Sequence, residues 1–440
     1  MSTALGVERW RGTVYGDGWT RPAGGTVAVV EPATGETLLE VGKAAPADVR
    51  AAAARARAAQ ADWATRPLAE RAAIFRRAAA FLEQNAAAVT EWIVRETGSI
   101  PPKAGVEIKV AAGELYEAAA MVTQPRGLVL PSDANVTSLA RRVPHGVVGV
   151  ISPFNFPLIL SVRALAPALA TGNAVVLKPD IQTPVSGGFL LARAFEEAGL
   201  PAGVLHVLPG EAEAGEALVT DPDVAMISFT GSTAVGRRVG ALASQHLKKV
   251  SLELGGKNTL VILDDADLEL AVSNAAWGAF LHQGQICMAT GRVLVPRALA
   301  AKFTQALADK ADHLPVGDPF RGQVALGPLI NRRQLERVDS IVRDTVAAGA
   351  QLRAGGTADR LFYRPTVLSD VGPGMRAFDE EIFGPVAPVT VYADEAEALR
   401  LANGGDYGLS AGIITGSAAR GMEFAAQLRT GLVHVNDQTV

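Results

Sequence analysis

The sequence contains very little cysteine and histidine. Among its 440 residues there is one cysteine, Cys287, so no disulfide can form within the chain and no cluster of cysteines can hold a metal. The six histidines show no paired spacing that suits metal ligation. The sequence therefore predicts that the protein uses no metal. A lone cysteine is more often a small core residue than a nucleophile, so its neighbours must decide between the two.

The chain also lacks an excess of either charge and lacks a long apolar run. Its 41 Lys and Arg against 45 Asp and Glu leave a formal net charge of −4, which provides no basic surface for nucleic acid or anionic lipid. The most apolar stretch, residues 147–177, is broken by Pro153, Asn155, Pro157, Arg163 and Asn173, so we expect no membrane span. Because the N-terminus shows no signal pattern, we expect a cytoplasmic protein.

The composition is that of a globular protein, 49% hydrophobic and 20% charged, in a chain long enough for two or three subdomains. Helices are predicted over residues 46–64, 68–96 and 106–122, followed by a two-stranded hairpin over 127–143. Four apolar strands then alternate with four helices over 146–244, and a second α/β series runs from 259 to about 429. Such alternation predicts a doubly wound parallel sheet with ligands at the carboxyl ends of its strands.

Two segments have features that suit a dinucleotide. In residues 226–236 a buried strand runs into Gly231 and Ser232 and then into a helix, whose N-terminal N–H groups suit a pyrophosphate. Lys178 ends another apolar strand, where it could donate to ribose hydroxyls. Both features have ordinary explanations as well, since strand–glycine–helix turns are common and a lysine often ends a strand in water.

Three further side chains suit catalysis. Cys287 lies between glycines in a turn-like segment, where a cysteine can be exposed enough to react. Glu253 lies between leucines in an apolar strand, so we expect partial desolvation to raise its pKa and suit it to general-base work. Asn155 lies in the Pro-rich turn 152–157, where a fixed amide can donate to an oxyanion. The alternatives are a core cysteine, a solvated strand glutamate and an asparagine that caps its own turn.

Six motifs together carry a resemblance that none of them carries alone. The segments PFNFP, LKPD, FTGSTAVG, LELGGKN, GQICMATGR and EEIFGPV follow one another between residues 153 and 386. In this set and order the sequence resembles the aldehyde dehydrogenase superfamily, over nearly its whole length from residue 31 to residue 436. The last motif, taken alone, would be better explained as a solvated acidic turn. The resemblance implies that Cys287 is a nucleophile and not a core residue.

The resemblance also implies a role for each matched residue. Cys287 would attack an aldehyde, Asn155 and the Cys287 backbone N–H would form the oxyanion hole, and Glu253 would activate the hydrolytic water. The cofactor would be a nicotinamide dinucleotide, NAD or NADP. The residues that would hold it are Lys178 at the adenosine ribose, Gly231 and Ser232 at the pyrophosphate, Glu381 at the nicotinamide ribose, Phe383 against the nicotinamide, and Ser152 and Phe154 nearby.

A fold and an assembly follow from the same resemblance. We expect an α/β protein with a Rossmann-type cofactor domain (residues 1–124 and 144–254), a second α/β catalytic domain (255–430) and a small β oligomerisation element (125–143 and 431–440). Family members usually run some tens of residues beyond the segment that ends here at Val440, so we expect part of that element to be missing and a sheet edge to be exposed. A homodimer or homotetramer is expected for a full-length protein.

Two departures from the family's pattern bear on cofactor and substrate. Many NAD-preferring members carry a glutamate three residues after the strand-end lysine; here that position is Ile181, which leaves NADP open while NAD is favoured. Phe154 replaces a tryptophan that is common in the family, and residues 158–163 look most like the benzaldehyde, or aryl-aldehyde, branch. In that branch an apolar pocket for a planar ring would be lined by Phe156, Leu160 and Tyr116.

Two rival functions stay open. A CoA-acylating aldehyde dehydrogenase would pass its thioester to coenzyme A, but such enzymes often lack the glutamate that is present here as Glu253. A non-catalytic dinucleotide-binding scaffold would keep only the fold. The presence of Cys287, Glu253 and Asn155 together counts against that second rival.

Overall fold

A computed structural model of the chain describes residues 5–440. These residues form two compact units, each with its own sheet and hydrophobic core. The first unit comprises residues 5–31, 35–97 and 101–253, and the second comprises residues 32–34, 98–100 and 254–440. The long segment of the second unit therefore begins directly after Glu253.

The first unit combines many helices with short strands. Its strands in the described residues are β1 (Val14–Tyr15), β2 (Trp19–Thr20), β3 (Thr26–Val30), β4 (Thr37–Gly42), β5 (Gly127–Leu130), β6 (Ser138–Arg141), β7 (Val147–Ile151), β8 (Ala174–Lys178), β9 (Leu205–Val207), β10 (Val224–Thr230) and β11 (Lys249–Glu253). Its α-helices are α1 (Pro46–Thr65), α2 (Leu68–Gln84), α3 (Ala86–Thr97), α4 (Pro101–Met121), α5 (Pro157–Ala170), α6 (Leu190–Glu197), α7 (Ala212–Thr220) and α8 (Thr233–Gln245).

The main sheet of the first unit has the order β11–β10–β7–β8–β9–β1–β2. The five strands from β11 to β9 are parallel, and β1 and β2 add an antiparallel edge. Strands β7 and β8 are almost wholly buried because helices cover both faces of the sheet. Since β8 lies on one side of β7 and β10 on the other, the winding direction reverses at β7, and the carboxyl edge there is where such sheets bind ligands.

The predicted doubly wound sheet is confirmed, with three local differences. The helix predicted over 68–96 is two helices, because the Asn85 side chain donates to the Phe81 carbonyl oxygen at 2.8 Å and its backbone leaves the helical region. Helix α4 begins at Pro101, five residues before the predicted start, and prolines are favourable in a first turn. Strands β1 and β2 were not predicted, since two residues are too short to show an alternating pattern.

The hairpin predicted over 127–143 is confirmed as β5 and β6, which pair antiparallel. Within the described residues these two strands form a sheet of their own. Their apolar side chains are exposed: Leu128 by 68%, Val129 by 79% and Leu139 by 57%. A hairpin with bare apolar side chains and open edges is typical of a surface that pairs with another chain.

The second unit is also an α/β layer structure. Its strands are β12 (Asn258–Ile262), β13 (Thr290–Pro296), β14 (Gln351–Ala354), β15 (Ala358–Asp359), β16 (Phe362–Tyr363), β17 (Thr366–Ser369), β18 (Val386–Tyr392), β19 (Ser410–Ile414) and β20 (Leu432–Val435). Its α-helices are α9 (Leu268–Phe280), α10 (Arg297–His313), α11 (Arg332–Ala347), α12 (Arg376–Asp379), α13 (Glu395–Ala402) and α14 (Ala418–Ala425).

The main sheet of the second unit has the order β14–β17–β18–β13–β12–β19–β20, and all its pairs except β14–β17 are parallel. Its two faces bury separate cores, as strand alternation requires. Leu260 and Ile262 of β12 belong to one core, and Val261 and the following Leu263 belong to the other. Among residues 5–440, no helix is both long and apolar enough to cross a membrane.

Candidate active site

Strand pairing brings several of the predicted residues to one edge of the first sheet. Ile151 at the end of β7 is in register with Lys178 of β8 and with Phe229 of β10. Next to them, Thr230 of β10 is in register with Glu253 of β11. The turn that contains Asn155 follows β7, and Gly231 follows β10. The carboxyl edge of this sheet therefore presents four of the six motifs.

The turn after β10 leads directly into a capped helix. Ser232 is the N-cap of α8, and its hydroxyl accepts a hydrogen bond from the Val235 N–H at 3.4 Å. Gly231 donates its N–H to the Glu253 carbonyl oxygen at 3.0 Å. A Cβ at Gly231 would lie 2.6 Å from the Phe229 ring, so glycine is required here by packing under the turn. The free N–H groups of a 13-residue helix then point out of the sheet edge.

Lys178 lies at the same edge and is only partly exposed. Burial lowers the pKa of its amine, and the nearby Asp180 carboxylate acts in the opposite direction. Its Nζ donates to the Pro179 carbonyl oxygen at 3.4 Å, which is a long bond. Asp180 accepts at 2.9 Å from the backbone N–H of Gln182, so its carboxylate is fixed beside Lys178. The lysine keeps donors available to a ligand, and a negative charge lies next to it.

The turn after β7 is held by buried polar groups. Asn155 is 3% exposed, and Lys103 of α4 donates from its Nζ to the Asn155 carbonyl oxygen at 2.6 Å. Ser152 donates its N–H to the Lys178 carbonyl oxygen at 3.2 Å, and its hydroxyl accepts from Ser161 at 2.7 Å. Phe154 is half-buried in the same turn. The Asn155 turn is thus rigid, which an oxyanion donor requires.

Glu253 departs from the expectation. Its side chain is exposed, so the predicted partial desolvation is wrong. The physical reason is that β11 is the outermost strand of the sheet. Four of its five residues are exposed, and Glu253 is one of them. A carboxylate in this position has access to water.

Cys287 lies in a turn of the second unit, between α9 and β13, and is partly exposed, as predicted. Three consecutive residues shortly before it have left-handed backbone: His282 (φ 48°), Gln283 (φ 57°) and Gly284 (φ 66°). Such conformations cost of order 1–3 kcal/mol for each non-glycine residue, and they cluster at functional sites. The Gln283 amide donates to the carbonyl oxygens of Gly98 at 3.0 Å and Pro328 at 2.7 Å, and these bonds hold the unusual turn.

Asn258, which the sequence analysis did not identify, anchors the cysteine turn from the other side. Its side-chain Nδ2 donates to the Cys287 carbonyl oxygen at 2.8 Å and to the Ala289 carbonyl oxygen at 2.9 Å. Its Oδ1 accepts from the Ser410 N–H at 3.1 Å. The signal in the sequence was a polar residue two positions after the glycine pair of LELGGKN. Because Asn258 is at the start of β12, it ties the turn to the sheet.

Glu381 packs directly against that glycine pair. Its Oε1 accepts from the Gly256 N–H at 3.2 Å, and a Cβ at Gly255 would lie 2.3 Å from its Oε2. Burial raises the pKa of Glu381, while the Gly256 hydrogen bond, Arg337 and Lys257 act in the opposite direction. Gly255 is therefore needed so that the carboxylate can lie on the backbone, whereas a Cβ at Gly256 would meet the Asn258 side chain and the Cys287 carbonyl oxygen.

Phe383 lies two residues further along the same loop, with left-handed backbone at φ 57°. The Gln334 amide of α11 donates to the Phe383 carbonyl oxygen at 2.8 Å and holds the loop. The loop before β13 contains Cys287, and the loop before β18 contains Glu381 and Phe383. The second unit therefore presents these candidate residues at the amino edge of its sheet.

The three predicted pocket residues do not all come together. Phe156 and Leu160 lie one turn apart at the start of α5, since the Leu160 N–H donates to the Phe156 carbonyl oxygen at 2.9 Å. Tyr116 of α4 donates its hydroxyl to Glu83 of α2 at 2.8 Å and is 41% exposed. Glu114, two residues earlier on α4, pairs with α5. Positions two apart point about 200° apart on a helix, so Tyr116 faces away from Phe156 and Leu160.

Comparison with known proteins identifies the family. The model of the aldehyde dehydrogenase family matches residues 19–440. The chain belongs to the aldehyde dehydrogenase family. A vanillin dehydrogenase from Amycolatopsis sp. is 58% identical over 436 residues, which are 99% of this chain and 90% of the relative. A benzaldehyde dehydrogenase [NAD(+)] from Pseudomonas putida is 51% identical over 432 residues, which are 98% of this chain and 89% of the relative.

Solved structures agree with the fold of this aldehyde dehydrogenase. The crystal structure of an NAD-dependent benzaldehyde dehydrogenase from Corynebacterium glutamicum has a TM-score of 0.92 at 43% identity, covering 98% of this chain and 95% of that chain. A betaine aldehyde dehydrogenase from Staphylococcus aureus in complex with NAD+ has a TM-score of 0.96 at 30% identity, covering 99% of this chain and 89% of that chain. The resemblance to the family and to its aryl-aldehyde branch, and the expected α/β fold, are confirmed.

The first unit of this aldehyde dehydrogenase has residues that fit a dinucleotide. Helix α8 presents its N-terminus at the sheet edge, and the Thr233 hydroxyl in its first turn is buried without a hydrogen-bond partner among residues 5–440. Gly215 of α7 faces the Lys178 side chain, whose Cε would be 3.7 Å from a Cβ at that position. Unpartnered donors next to a helix N-terminus favour an anionic ligand.

Proposed function

We propose that this aldehyde dehydrogenase oxidises aromatic aldehydes to carboxylic acids with NAD. The similarity to the vanillin and benzaldehyde dehydrogenases, at 58% and 51% identity over nearly the whole chain, carries the proposal. The apolar pair Phe156 and Leu160 at the start of α5 supports it, since both side chains are partly exposed and apolar side chains suit the ring of an aromatic aldehyde. Tyr116 is left out of this pocket because it faces α2.

The mechanism proposed for this function uses Cys287, Asn155 and Glu253 in the roles that the family resemblance implies. The Cys287 thiolate attacks the aldehyde carbon and forms a thiohemiacetal, whose oxyanion accepts hydrogen bonds from the Asn155 amide and the Cys287 N–H. A bound nicotinamide ring supplies the hydride acceptor. Oxidation leaves a thioester on Cys287, and Glu253 takes the proton of the water that hydrolyses it. The water-accessible position of Glu253 suits this step.

The cofactor is proposed to lie along the residues at the carboxyl edge of the first sheet. Lys178 donates to ribose hydroxyls, and Gly231 and Ser232 at the start of α8 hold the pyrophosphate, with Ser152 and Phe154 nearby. In the second unit Glu381 holds the second ribose and Phe383 packs on the nicotinamide. Asp180 beside Lys178 would repel a 2′-phosphate, which favours NAD over NADP.

Substitution of Gly255 by alanine tests the proposed role of Glu381. A methyl group at Gly255 would overlap the Glu381 carboxylate, which is the end of a flexible side chain, so we expect the fold to survive and the carboxylate to move. Loss of its hydrogen bonds to a ribose should weaken NAD binding about 10- to 100-fold. Fluorescence titration with NAD measures this change. Glu381→Gln is the matched variant, and unchanged NAD binding in both would remove Glu381 from the cofactor site.

The proposed substrate class is tested by a panel of aldehydes. Benzaldehyde, vanillin, hexanal and a charged semialdehyde are compared by kcat/KM, each with NAD and with NADP. We expect the aromatic pair with NAD to exceed the others by at least about tenfold, since a mismatched pocket costs about 1–3 kcal/mol. A preference for hexanal or for the semialdehyde would contradict the proposal.

The same assay separates the two rival functions. Formation of acyl-CoA when coenzyme A is added would indicate the CoA-acylating reaction. No reduced cofactor with any aldehyde would indicate a scaffold without catalysis.

Assembly and location remain predictions. The exposed apolar side chains of β5 and β6 support pairing with a second copy of the chain, as in a homodimer or homotetramer. We also propose that residues 125–143 and 431–440 form an oligomerisation element. Residues 1–124 and 144–254 are proposed to bind the cofactor, and residues 255–430 to form the catalytic domain. A location in the cytoplasm is likewise a proposal.

A further inference from the structure

The turn that presents Asn155 is held by an ion pair with no assigned role. Lys103 and Glu107 lie one turn apart on α4 and form a salt bridge whose side chains are 2% and 0% exposed. The second carboxylate oxygen of Glu107 accepts from the Leu158 N–H at 3.1 Å and the Ile159 N–H at 3.4 Å. These are unpaired N–H groups of the first turn of α5, so Glu107 caps that helix.

Lys103 reaches the other side of the same turn. Its Nζ donates to the Asn155 carbonyl oxygen at 2.6 Å and lies 4.2 Å from the centroid of the Phe156 ring. The two charged groups therefore hold the chain immediately before and immediately after Pro157. Together with the prolines of the PFNFP motif, they leave the Asn155 backbone very little freedom.

A contribution to the stability of the fold is a poor explanation for burying this ion pair. Both charges give up their hydration, and well-packed apolar side chains of similar volume would stabilise a fold at least as well. The pair does provide directional hydrogen bonds. Apart from the bond between Lys103 and Glu107, each of them ends on the backbone of residue 155, 158 or 159. A site that must hold one amide within a fraction of an ångström needs such bonds.

We propose that Lys103 and Glu107 are positioning residues for Asn155, which fix its backbone so that its side-chain amide meets the developing oxyanion. The inference rests on the proposed role of Asn155 in catalysis. The hydrogen bonds of both residues end on each other and on the backbone of the turn. Their effect on the reaction is exerted through the turn alone.

The first test compares two variants, Lys103→Met and Lys103→Met/Glu107→Gln. The double variant removes both charges, so it leaves no unpaired buried charge to unfold the unit. We expect kcat to fall about 10- to 100-fold in both, because a misplacement of about 1 Å has a cost of that size.

The dissociation constant of NAD and the rate of Cys287 alkylation by iodoacetamide should change less than about threefold, as neither depends on Asn155. Lys109→Met, an exposed lysine on the same helix, is the matched control and should keep normal kcat.

A double-mutant cycle with Asn155→Ala separates positioning from a general structural role. If Lys103 acts through Asn155, adding Lys103→Met to Asn155→Ala should lower kcat by no more than about twofold, since the group it positions is already absent. The positioning role is refuted if the fold-losses in kcat from Lys103→Met and Asn155→Ala multiply in the combined variant. It is also refuted if Lys103→Met and Lys103→Met/Glu107→Gln both keep normal kcat. Normal turnover of Asn155→Ala alone would instead refute the proposed mechanism, so the two failures are distinguishable.

Discussion

Cys287→Ser is expected to abolish aldehyde oxidation while NAD binding stays unchanged. The proposed first step needs a thiolate, and a serine hydroxyl at the same position is ionised far less and attacks far more slowly. Removal of a catalytic nucleophile costs about 10⁴- to 10⁶-fold in kcat in comparable enzymes. No other residue can take over, because the chain has one cysteine. The measurement is the rate of NADH formation, beside a fluorescence titration with NAD.

The single cysteine also provides a control for this experiment. Iodoacetamide should label the wild-type chain once, and the loss of activity should follow the fraction labelled. Cys287→Ser should take up no label. The partial exposure of Cys287 in its turn is consistent with such labelling. Oxidation at a normal rate by the serine variant, or full activity in a completely labelled wild type, would rule the sulfur out of the reaction.

Asn155→Ala is expected to lower kcat by about two to three orders of magnitude. The loss of one oxyanion donor costs about 2.7–4 kcal/mol in a preorganised site, and the Asn155 turn is preorganised by its buried partners. Because the amide would act in the transition state, the KM for the aldehyde should change little. Steady-state kinetics with benzaldehyde and NAD measure both parameters.

Two further variants make the Asn155 result specific. Asn155→Asp keeps the shape but removes the donor, so its kcat should be at least as low as that of the alanine variant. Asn173→Ala removes another buried asparagine, which accepts from the Gly146 N–H at 3.1 Å and donates to the Ala168 carbonyl oxygen at 2.9 Å. This variant should unfold at lower temperature but keep normal kcat when folded. A near-normal rate in Asn155→Ala would remove Asn155 from the mechanism.

The sequence was informative wherever a pattern is local. Strands such as β7 and β8 are continuous apolar runs because both faces of a parallel sheet are covered, and their order along the chain predicted the doubly wound fold. Cys287 between two glycines predicted a turn, which is what the structure contains. The order of six short motifs predicted the family, because several rare segments in one order are far more specific than any one of them.

Local patterns in the sequence did not predict side-chain burial, side-chain direction or hydrogen-bond partners where these depend on distant parts of the chain. Glu253 was expected to be desolvated by its neighbouring leucines, but exposure depends on the place of β11 at the sheet edge, which neighbouring residues do not encode. Tyr116 was assigned to a pocket, but its direction depends on which helix covers that face of α4. Asn258 and the Lys103–Glu107 pair were missed because their partners are 29 to 152 residues away in sequence.

The amino acid order by itself determined most of the strands and helices, the family and the proposal that Cys287 is the nucleophile, since these follow from short-range patterns and from motifs. Tertiary structure alone decided which backbone groups the buried Lys103 and Glu107 hold, why Gly255 must lack a side chain beside Glu381, and which carboxylate meets water. The physical reason is that burial, charge and close packing are set by neighbours in space, and the chain brings these together only when it folds.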